Sequence, residues 1–402
     1  MTTLFPVADA IVQLHLGRTF PACSICVIDH GQVVLESAWG WVDPEARQVP
    51  AQPDTLFDFA SLTKLFTTTA LLRLLDSHDL SVDTPLVDLV PEFGAVNPRS
   101  IDGGQDPHSK QHLPTPDDLN GHLVDVRAVT LRELLTHTSG LPHWRDVYAA
   151  AGPPPTPPDQ PDPIARETRW ANGLAALVQY PFVAPPDGIV RYSDIGLMLL
   201  GEAVTRLQST GDLESAIRVL VTDALPPGEL GFNPVRNSWS QRSEIAPTED
   251  DPLWRQRRVW GEVHDENACG VGGVAGHAGM FGTARALAAF GERWLHEAEP
   301  FGVQAAFRAE AICEQATTGD VRRGLGWALK ARTDSMAGDR LSMSSFGHSG
   351  FTGTTLWIDP EAELVIATLT NSVYYGRHTT AYATTHDFRR ALHDAIAEAC
   401  SP

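Results

Sequence analysis

Short apolar runs near both ends of the chain have the length and alternation of β-strands. These runs are residues 23–28, 33–41, 326–330, 353–358 and 364–370. Asp29-His30-Gly31 separates the first two runs and is typical of a hairpin turn, and Glu361-Ala362-Glu363 marks a turn between the last two. The pattern predicts an antiparallel sheet built from segments at both ends of the chain.

Between and around these runs, apolar residues recur with the period of an α-helix. The predicted helices are residues 6–17, 62–75, 131–135, 164–177, 195–207, 213–222, 283–298 and 387–400. Residues 93–126 and 152–163 are polar, rich in Pro and Gly, and without period, so we predict surface insertions there.

Strands at both ends with helices between them indicate an α+β fold. We predict an α/β domain formed by residues 1–60 and 270–402, in which helices flank the antiparallel sheet. Residues 61–269 would form an inserted, mostly helical domain that carries both insertions. A catalytic cleft is expected between the two domains.

The composition and charge of the chain limit the kinds of partner that it can bind. The chain has 402 residues, 43% of them hydrophobic, and a formal net charge of −20 without a Lys/Arg-rich run, which argues against nucleic acid as a partner. No stretch reaches the roughly 18 uncharged apolar residues of a membrane-spanning helix. The first residues also lack a basic segment followed by an apolar one, so we expect no membrane association and a cytoplasmic location.

The cysteines and histidines do not predict a metal site or a cofactor. The five cysteines suit a reducing compartment, and Cys23 and Cys26 lie three apart on a predicted strand, where side chains point to opposite faces. His264, Asp265-Glu266 and His277 lack the spacing of metal ligands and are predicted to be hydrogen-bonding loop residues. We expect no metal and no cofactor.

The first candidate for chemistry is Ser61-Leu62-Thr63-Lys64, at the start of the predicted helix 62–75. Only three of the 30 basic residues are lysines, so lysine is an unusual choice at position 64. A lysine amine can become neutral and accept a proton, whereas arginine cannot. Because residues i and i+3 share a helix face, Lys64 is expected within reach of the Ser61 hydroxyl.

Two further elements carry candidate site residues. Tyr192-Ser193-Asp194 follows a Pro/Gly turn, and a tyrosine beside a cationic lysine has a reason to lose its proton and act as a general base. The stretch 346–353 is rich in glycine and is predicted at the start of the strand 353–358. Glycine allows close approach to backbone N–H groups, so the amides of Phe351 and Ser61 could form an oxyanion hole.

These elements, in this order, resemble those of the serine β-lactamase and penicillin-binding superfamily, in particular its branch of class C β-lactamases, DD-peptidases and related esterases. The stretches 55–64, 134–141 and 272–281 are also similar to that family. The resemblance extends from about residue 20 to residue 398, apart from the two insertions.

The resemblance implies a role for each site residue. Ser61 would be the acylated nucleophile, and Lys64 and Tyr192 would share its proton. The backbone amides of Ser61 and Phe351 would form the oxyanion hole. The substrate side of the site would comprise Asp194, His348, Ser349 and Gly350.

Two residues depart from the family pattern. Asp194 stands where the family has Asn, and a carboxylate beside Lys64 would keep the ammonium charged, which shifts the task of general base to Tyr192. His348 replaces a charged lysine, and a neutral imidazole binds a carboxylate weakly. We therefore expect ester or amide hydrolysis rather than efficient β-lactam turnover.

Other functions stay open at this point. The predicted function is hydrolysis of a small-molecule ester, amide or D-amino-acid peptide through an acyl-enzyme. Alternatives are a D-alanyl-D-alanine carboxypeptidase, a weak β-lactamase, or a non-catalytic module that binds acyl groups or peptides. An α/β-hydrolase centred on Ser349 is disfavoured, because Phe351 breaks the G-x-S-x-G motif. The oligomeric state and the physiological substrate are left open.

Overall fold

The computed structural model describes residues 5–186, 188–209, 211–227, 230–377 and 379–400. Its strands are Ala22–Asp29 (β1), Gln32–Gly40 (β2), Phe57–Asp58 (β3), Arg99–Ser100 (β4), Leu123–Val124 (β5), Leu230–Phe232 (β6), Asp250–Asp251 (β7), Arg257–Arg258 (β8), Met280–Gly282 (β9), Ala316–Thr318 (β10), Val321–Arg323 (β11), Ala328–Leu329 (β12), Phe346–Ser349 (β13), Thr355–Asp359 (β14) and Leu364–Thr370 (β15). Its α-helices are Pro6–His15 (α1), Thr63–Ser77 (α2), Leu86–Leu89 (α3), Leu131–Leu135 (α4), Val147–Ala151 (α5), Arg166–Leu177 (α6), Asp194–Gln208 (α7), Leu213–Leu220 (α8), Glu266–Gly270 (α9), Ala284–His296 (α10), Ala305–Ile312 (α11) and Thr379–Cys400 (α12).

The main sheet joins the two ends of the chain. Its eight strands follow the order β10-β11-β12-β13-β14-β15-β1-β2, and every neighbouring pair is antiparallel. Strand β1 pairs with β15 from Cys23 opposite Thr370 to Asp29 opposite Leu364. The predicted α+β fold, with one antiparallel sheet drawn from both chain ends, is confirmed.

Each face of this sheet packs against its own set of helices. On one face, Cys23 and Val27 of β1 join a core with residues of α1 and α12. On the other face, Cys26 and Ile28 belong to the larger core, to which α2, α7 and α10 contribute. The prediction that Cys23 and Cys26 point to opposite faces is confirmed, and both thiols are buried.

Helix α2 lies in the interior of the molecule. Every residue from Thr63 to Leu72 is buried, including the polar Lys64 and three consecutive threonines. Helices α7 and α8 pack against it. A helix that is enclosed on all sides holds its first turn rigidly, and Ser61 lies in the 3-10 turn Ala60–Leu62 that leads into it.

The glycine-rich stretch 346–353 differs from the prediction. It does not begin the strand 353–358 but forms its own strand β13, followed by a turn at residues 350–353 before β14 begins at Thr355. The turn requires glycine, because Gly353 has φ of 116° and a Cβ there would lie 2.1 Å from the Thr370 hydroxyl oxygen. The sequence prediction also missed strands β10 and β11.

The first predicted insertion is only partly a surface segment. Within residues 93–126, strands β4 and β5 pair with each other, and Arg99, Ile101 and Val124 are buried. The Arg99 guanidinium donates to the Phe93 carbonyl at 2.7 Å and so anchors the segment.

The proposed domain boundaries at residues 60 and 270 stay a prediction. No helix among the described residues combines the length and the apolar character needed to cross a membrane.

Candidate active site

Ser61 lies at the floor of a cleft of about 680 Å³. The residue before it, Ala60, has φ of 48°, which is left-handed and unusual for a residue with a side chain. The buried Asp58 carboxylate stabilises this conformation by accepting from the Ala60 amide at 2.8 Å and from the His264 amide at 2.6 Å. This backbone geometry presents the Ser61 hydroxyl to the cleft.

Lys64 occupies the buried side of Ser61. Its Nζ lies 2.8 Å from Ser61 Oγ, 3.2 Å from the carbonyl oxygen of His277 and 2.7 Å from an oxygen of Asp194. Burial acts to lower the pKa of Lys64, but the charges of Asp194 and Tyr192 outweigh it, so the pKa is raised above its ordinary value. The side chain is an ammonium ion that donates to the serine oxygen.

Tyr192 lies beside both Ser61 and Lys64: its Oη donates to Ser61 Oγ at 2.8 Å, and Lys64 Nζ lies 4.9 Å from the centre of its ring. Burial raises the pKa of this phenol more than the neighbouring Lys64 lowers it. The role of Tyr192 as general base, which the sequence suggested from its neighbour Lys64, stays a prediction. The ring is held by His137, whose ring centroid lies 4.5 Å away.

Asp194 is the first residue of α7 and reaches Lys64 from the end of that helix. Burial acts to raise the pKa of its carboxyl, but Lys64 and His277 outweigh this effect and lower it. Ser193 caps the helix by accepting from the Gly196 amide at 3.1 Å, which fixes the direction of the following residue. The carboxylate and the ammonium form a buried ion pair beside the serine.

His348 and the residues after it form the opposite wall of the cleft. The Nδ1 of His348 lies 2.8 Å from the Ser349 carbonyl oxygen, which can only accept, so the ring carries its proton on Nδ1. Burial, Arg323 and Lys64 hold the pKa of this imidazole well below its usual range, and its Nε2 is buried without a hydrogen-bond partner. The Nε2 of His348 thus presents a lone pair. Ser349, Gly350 and Phe351 line the cleft beside this ring.

Arg323 and Arg389 also line this cleft and were not identified from the sequence. The Arg323 guanidinium lies 5.5 Å from the centre of the Tyr192 ring. Its Nε is buried without a partner, and the described residues supply no carboxylate to pair with it. Neither arginine belongs to a motif, because each arrives from an element distant in sequence from Ser61.

The residues considered as metal ligands form hydrogen bonds instead. His277 Nε2 lies 2.9 Å from Asp265, and His264 Nε2 lies 3.2 Å from Glu249. Within the described ranges, no group of three or more ligand-type side chains is placed to hold a metal ion.

The sheet with its helical layer, and the serine between a lysine and a tyrosine, define a class: the serine β-lactamase and penicillin-binding superfamily. The chain belongs to the Beta-lactamase family of serine hydrolases, whose sequence profile matches residues 7–388. The resemblance inferred from the motifs is confirmed.

Individual relatives agree with this assignment. An Escherichia coli K12 protein named "Putative D-alanyl-D-alanine carboxypeptidase" is 26% identical over 390 residues, which cover 90% of this chain and 81% of that protein. The crystal structure of a penicillin-binding protein homologue from Caulobacter crescentus aligns with a TM-score of 0.66 at 19% identity, covering 98% of this chain and 97% of that one. EstCE1, a hydrolase with promiscuous acyltransferase activity, aligns with a TM-score of 0.65 at 18% identity, covering 97% and 98%. The two structures establish similarity of fold.

Proposed function

We propose that this protein hydrolyses an ester or an amide through an acyl-enzyme on Ser61. The observation that carries the proposal is the position of Ser61 Oγ, which lies 2.8 Å from both Lys64 Nζ and Tyr192 Oη at the floor of an open cleft. A serine is a weak nucleophile until a neighbouring group takes its proton. Tyr192, which can accept that proton once it is ionised, and the charged Lys64 are both in hydrogen-bond contact with the serine oxygen.

In the first half of the reaction, the ionised form of Tyr192 takes the proton of Ser61 as Oγ bonds to the substrate carbonyl carbon. The carbonyl oxygen, now negative, is stabilised by the backbone amides of Ser61 and Phe351. Tyr192 then returns the proton to the leaving group as the bond to that group breaks. Water repeats these steps on the acyl-enzyme, releasing the acid and restoring Ser61.

Lys64 prepares Tyr192 for this task. Asp194 keeps Lys64 charged, and the ammonium ion stabilises the phenolate that Tyr192 must become. The proton-accepting form is a minor species at neutral pH, because burial keeps the pKa of Tyr192 above its ordinary value. Lys64 is thus a charged positioning group rather than the base itself.

A second candidate function, removal of a carboxyl-terminal D-amino acid from a peptide, is favoured by Arg323. His348 is neutral and binds a carboxylate poorly, but Arg323 supplies a permanent cation in the same cleft, and no carboxylate among the described residues pairs with it. The relative named for D-alanyl-D-alanine carboxypeptidase activity is consistent with this candidate. The cytoplasmic location expected from the cysteines stays a prediction.

The test is covalent labelling. Wild-type protein and the Ser61→Ala variant are incubated with a fluorophosphonate and with a labelled penicillin, and the adduct is located by intact mass and peptide mapping. We expect one adduct on Ser61 in the wild type and none in the variant, whereas Ser349→Ala should still be labelled on Ser61. If the wild type accepts neither probe, the protein is a binding module. Rates with p-nitrophenyl esters, nitrocefin and D-alanyl peptides then rank the substrates.

A further inference from the structure

Arg389, on helix α12, is a buried cation with an unusual set of partners. Its Nη2 donates to the carbonyl oxygen of Gly350 at 2.9 Å and to that of Thr354 at 3.2 Å. Its Nη1 contacts the sulfur of Met336 at 3.6 Å, and its Nε is buried without a partner. Among the described residues no carboxylate approaches it, and burial lowers its pKa to about 10, so it stays charged at neutral pH.

The Gly350 carbonyl is directly linked to the proposed chemistry. This carbonyl and the N–H of Phe351 belong to one planar peptide group and point in opposite directions across it. A guanidinium ion on the oxygen fixes the plane of the group and draws electron density from the nitrogen. The Phe351 N–H thereby becomes a better-aligned and stronger donor on the opposite side, where the substrate oxyanion would lie.

The same turn is bound to the segment that precedes the nucleophile. The hydroxyl of Thr352 donates to the Asp58 carbonyl at 2.7 Å, and the hydroxyl of Thr354 donates to the Phe59 carbonyl at 3.0 Å. A Cβ on Gly350 would lie 2.5 Å from the Phe59 oxygen, so the two segments are in direct contact. Arg389 therefore fixes the Gly350–Phe351 peptide relative to Ser61.

We propose that Arg389 is a positioning residue that orients and polarises the Phe351 amide of the oxyanion hole. The inference rests on the proposed function, since it requires an acyl transfer at Ser61. Desolvating a guanidinium ion is costly, and a neutral side chain could fill the same space. A guanidinium ion bound to the Gly350 carbonyl oxygen polarises the peptide group, which a neutral side chain of the same size would not do.

The test compares Arg389→Met and Arg389→Ala with the control Arg390→Met. Arg390 is the next residue of α12, but it is not among the residues that line the cleft, and it forms its ion pairs with Asp334 and Asp339. The loss of a full oxyanion-hole donor lowers kcat by about 100- to 1,000-fold, and a weakened donor should cost about 10- to 100-fold. We expect that loss in kcat for a p-nitrophenyl ester with KM nearly unchanged, and wild-type kinetics for Arg390→Met.

Chemical rescue separates polarisation from packing. Guanidinium ion at millimolar concentration should restore part of the kcat of Arg389→Ala, whereas the same concentration of sodium chloride should not. If either variant fails to fold, as judged by circular dichroism, Arg389→Lys provides the test: it keeps the charge but not the forked geometry, and should lower kcat without a large change in KM.

Two outcomes would overturn the inference. One is a wild-type kcat in folded Arg389→Met or Arg389→Lys. The other is a loss confined to KM or to the free energy of unfolding, with no rescue by guanidinium. Failure of the proposed function itself looks different, because the wild type would then show no adduct on Ser61 with the fluorophosphonate.

Discussion

The two side chains that contact the Ser61 hydroxyl, Lys64 and Tyr192, both hold their protons at neutral pH. The pKa of Lys64 is raised by Asp194 and Tyr192, against the effect of burial, and the pKa of Tyr192 is raised by burial. The proposed mechanism therefore requires Tyr192 to lose its proton before it can accept that of Ser61. The rate of acylation should be proportional to the small fraction of protein in which Tyr192 is ionised.

The pH dependence of acylation follows from these shifts. A base that must be unprotonated gains activity as pH rises, so kcat/KM should increase above neutral pH and should not level off by about pH 9, because the ordinary pKa of tyrosine is already about 10. Asp194 raises the pKa of both Lys64 and Tyr192, so Asp194→Asn should shift the rise to lower pH. Stopped-flow labelling with a fluorophosphonate across pH measures both profiles. Superimposable profiles would refute the role given to Asp194.

Arg323 should determine selectivity for charged substrates. Removing a hydrogen bond to a charged group costs about 1.5–3 kcal/mol, so Arg323→Gln should lower kcat/KM for a peptide with a free terminal carboxylate by about 10- to 150-fold. A neutral p-nitrophenyl ester should be hydrolysed as before. The control is Arg322→Gln, because Arg322 is already paired with Glu314. Equal losses for both substrates would show that Arg323 does not recognise the carboxylate.

The contact between Ser61, the proposed nucleophile, and Lys64 could be predicted from the sequence, but the arginines of the cleft could not. Ser61 and Lys64 are three residues apart, in a 3-10 turn and in the first turn of the helix that follows it, so local geometry alone brings them together. Arg323 and Arg389 come from β11 and α12, whose positions depend on the assembled sheet. The raised pKa of Tyr192 also depends on burial by distant residues, which no local pattern encodes.

At the scale of elements, the turn between β13 and β14 leaves the least room for side chains at its glycines. It brings Gly350 next to the segment that holds Ser61, and it returns within a few residues to a fully buried strand.

Predictions succeeded where an element has a clear period: helix 131–135 and strand 364–370 have the observed bounds. They failed for β10 and β11, which have three residues each and few apolar side chains to mark them.

The substitution Gly353→Ala tests the turn as a unit. A Cβ at Gly353 would lie 2.1 Å from Thr370 Oγ1 and 2.6 Å from Ser372 Oγ, at φ of 116°. Steric clash and backbone strain together should lower the free energy of unfolding by about 3–5 kcal/mol and slow labelling of Ser61. The matched control is Gly319→Ala, where φ is 58° but nothing lies within 4 Å of the added carbon. The control should cost only about 1–2 kcal/mol, the price of the left-handed conformation. Equal effects on urea denaturation would contradict the role of the close contact.

At the scale of the molecule, one sheet is shared by both chain ends and has a core on each face. The residues that pair β1 with β15 are far apart in sequence, so neither end can form its part of the sheet alone. The two cores meet through the backbone of the same strands. We therefore expect the molecule to unfold as one cooperative unit.

A single substitution in the core formed with α1 and α12 tests this cooperativity. Leu392→Ala removes a fully buried side chain of α12 and should lower the free energy of unfolding by about 2–5 kcal/mol. Urea transitions followed by circular dichroism and by labelling of Ser61 should remain coincident and shift together. Glu398→Ala, which removes an exposed side chain from the same helix, should leave both transitions in place. Two separate transitions would instead indicate two domains that unfold independently.

The order in which the chain is synthesised has a consequence for the site. Ser61 leaves the ribosome before the turn at Gly350 and the guanidinium of Arg389, which lie far downstream of it in the sequence. Until then β1 lacks its partner β15, and the serine has no second wall opposite it. A nascent chain, or one terminated before α12, would carry the proposed nucleophile without the groups proposed to make it reactive, so we expect acyl transfer to begin only after α12 has been synthesised.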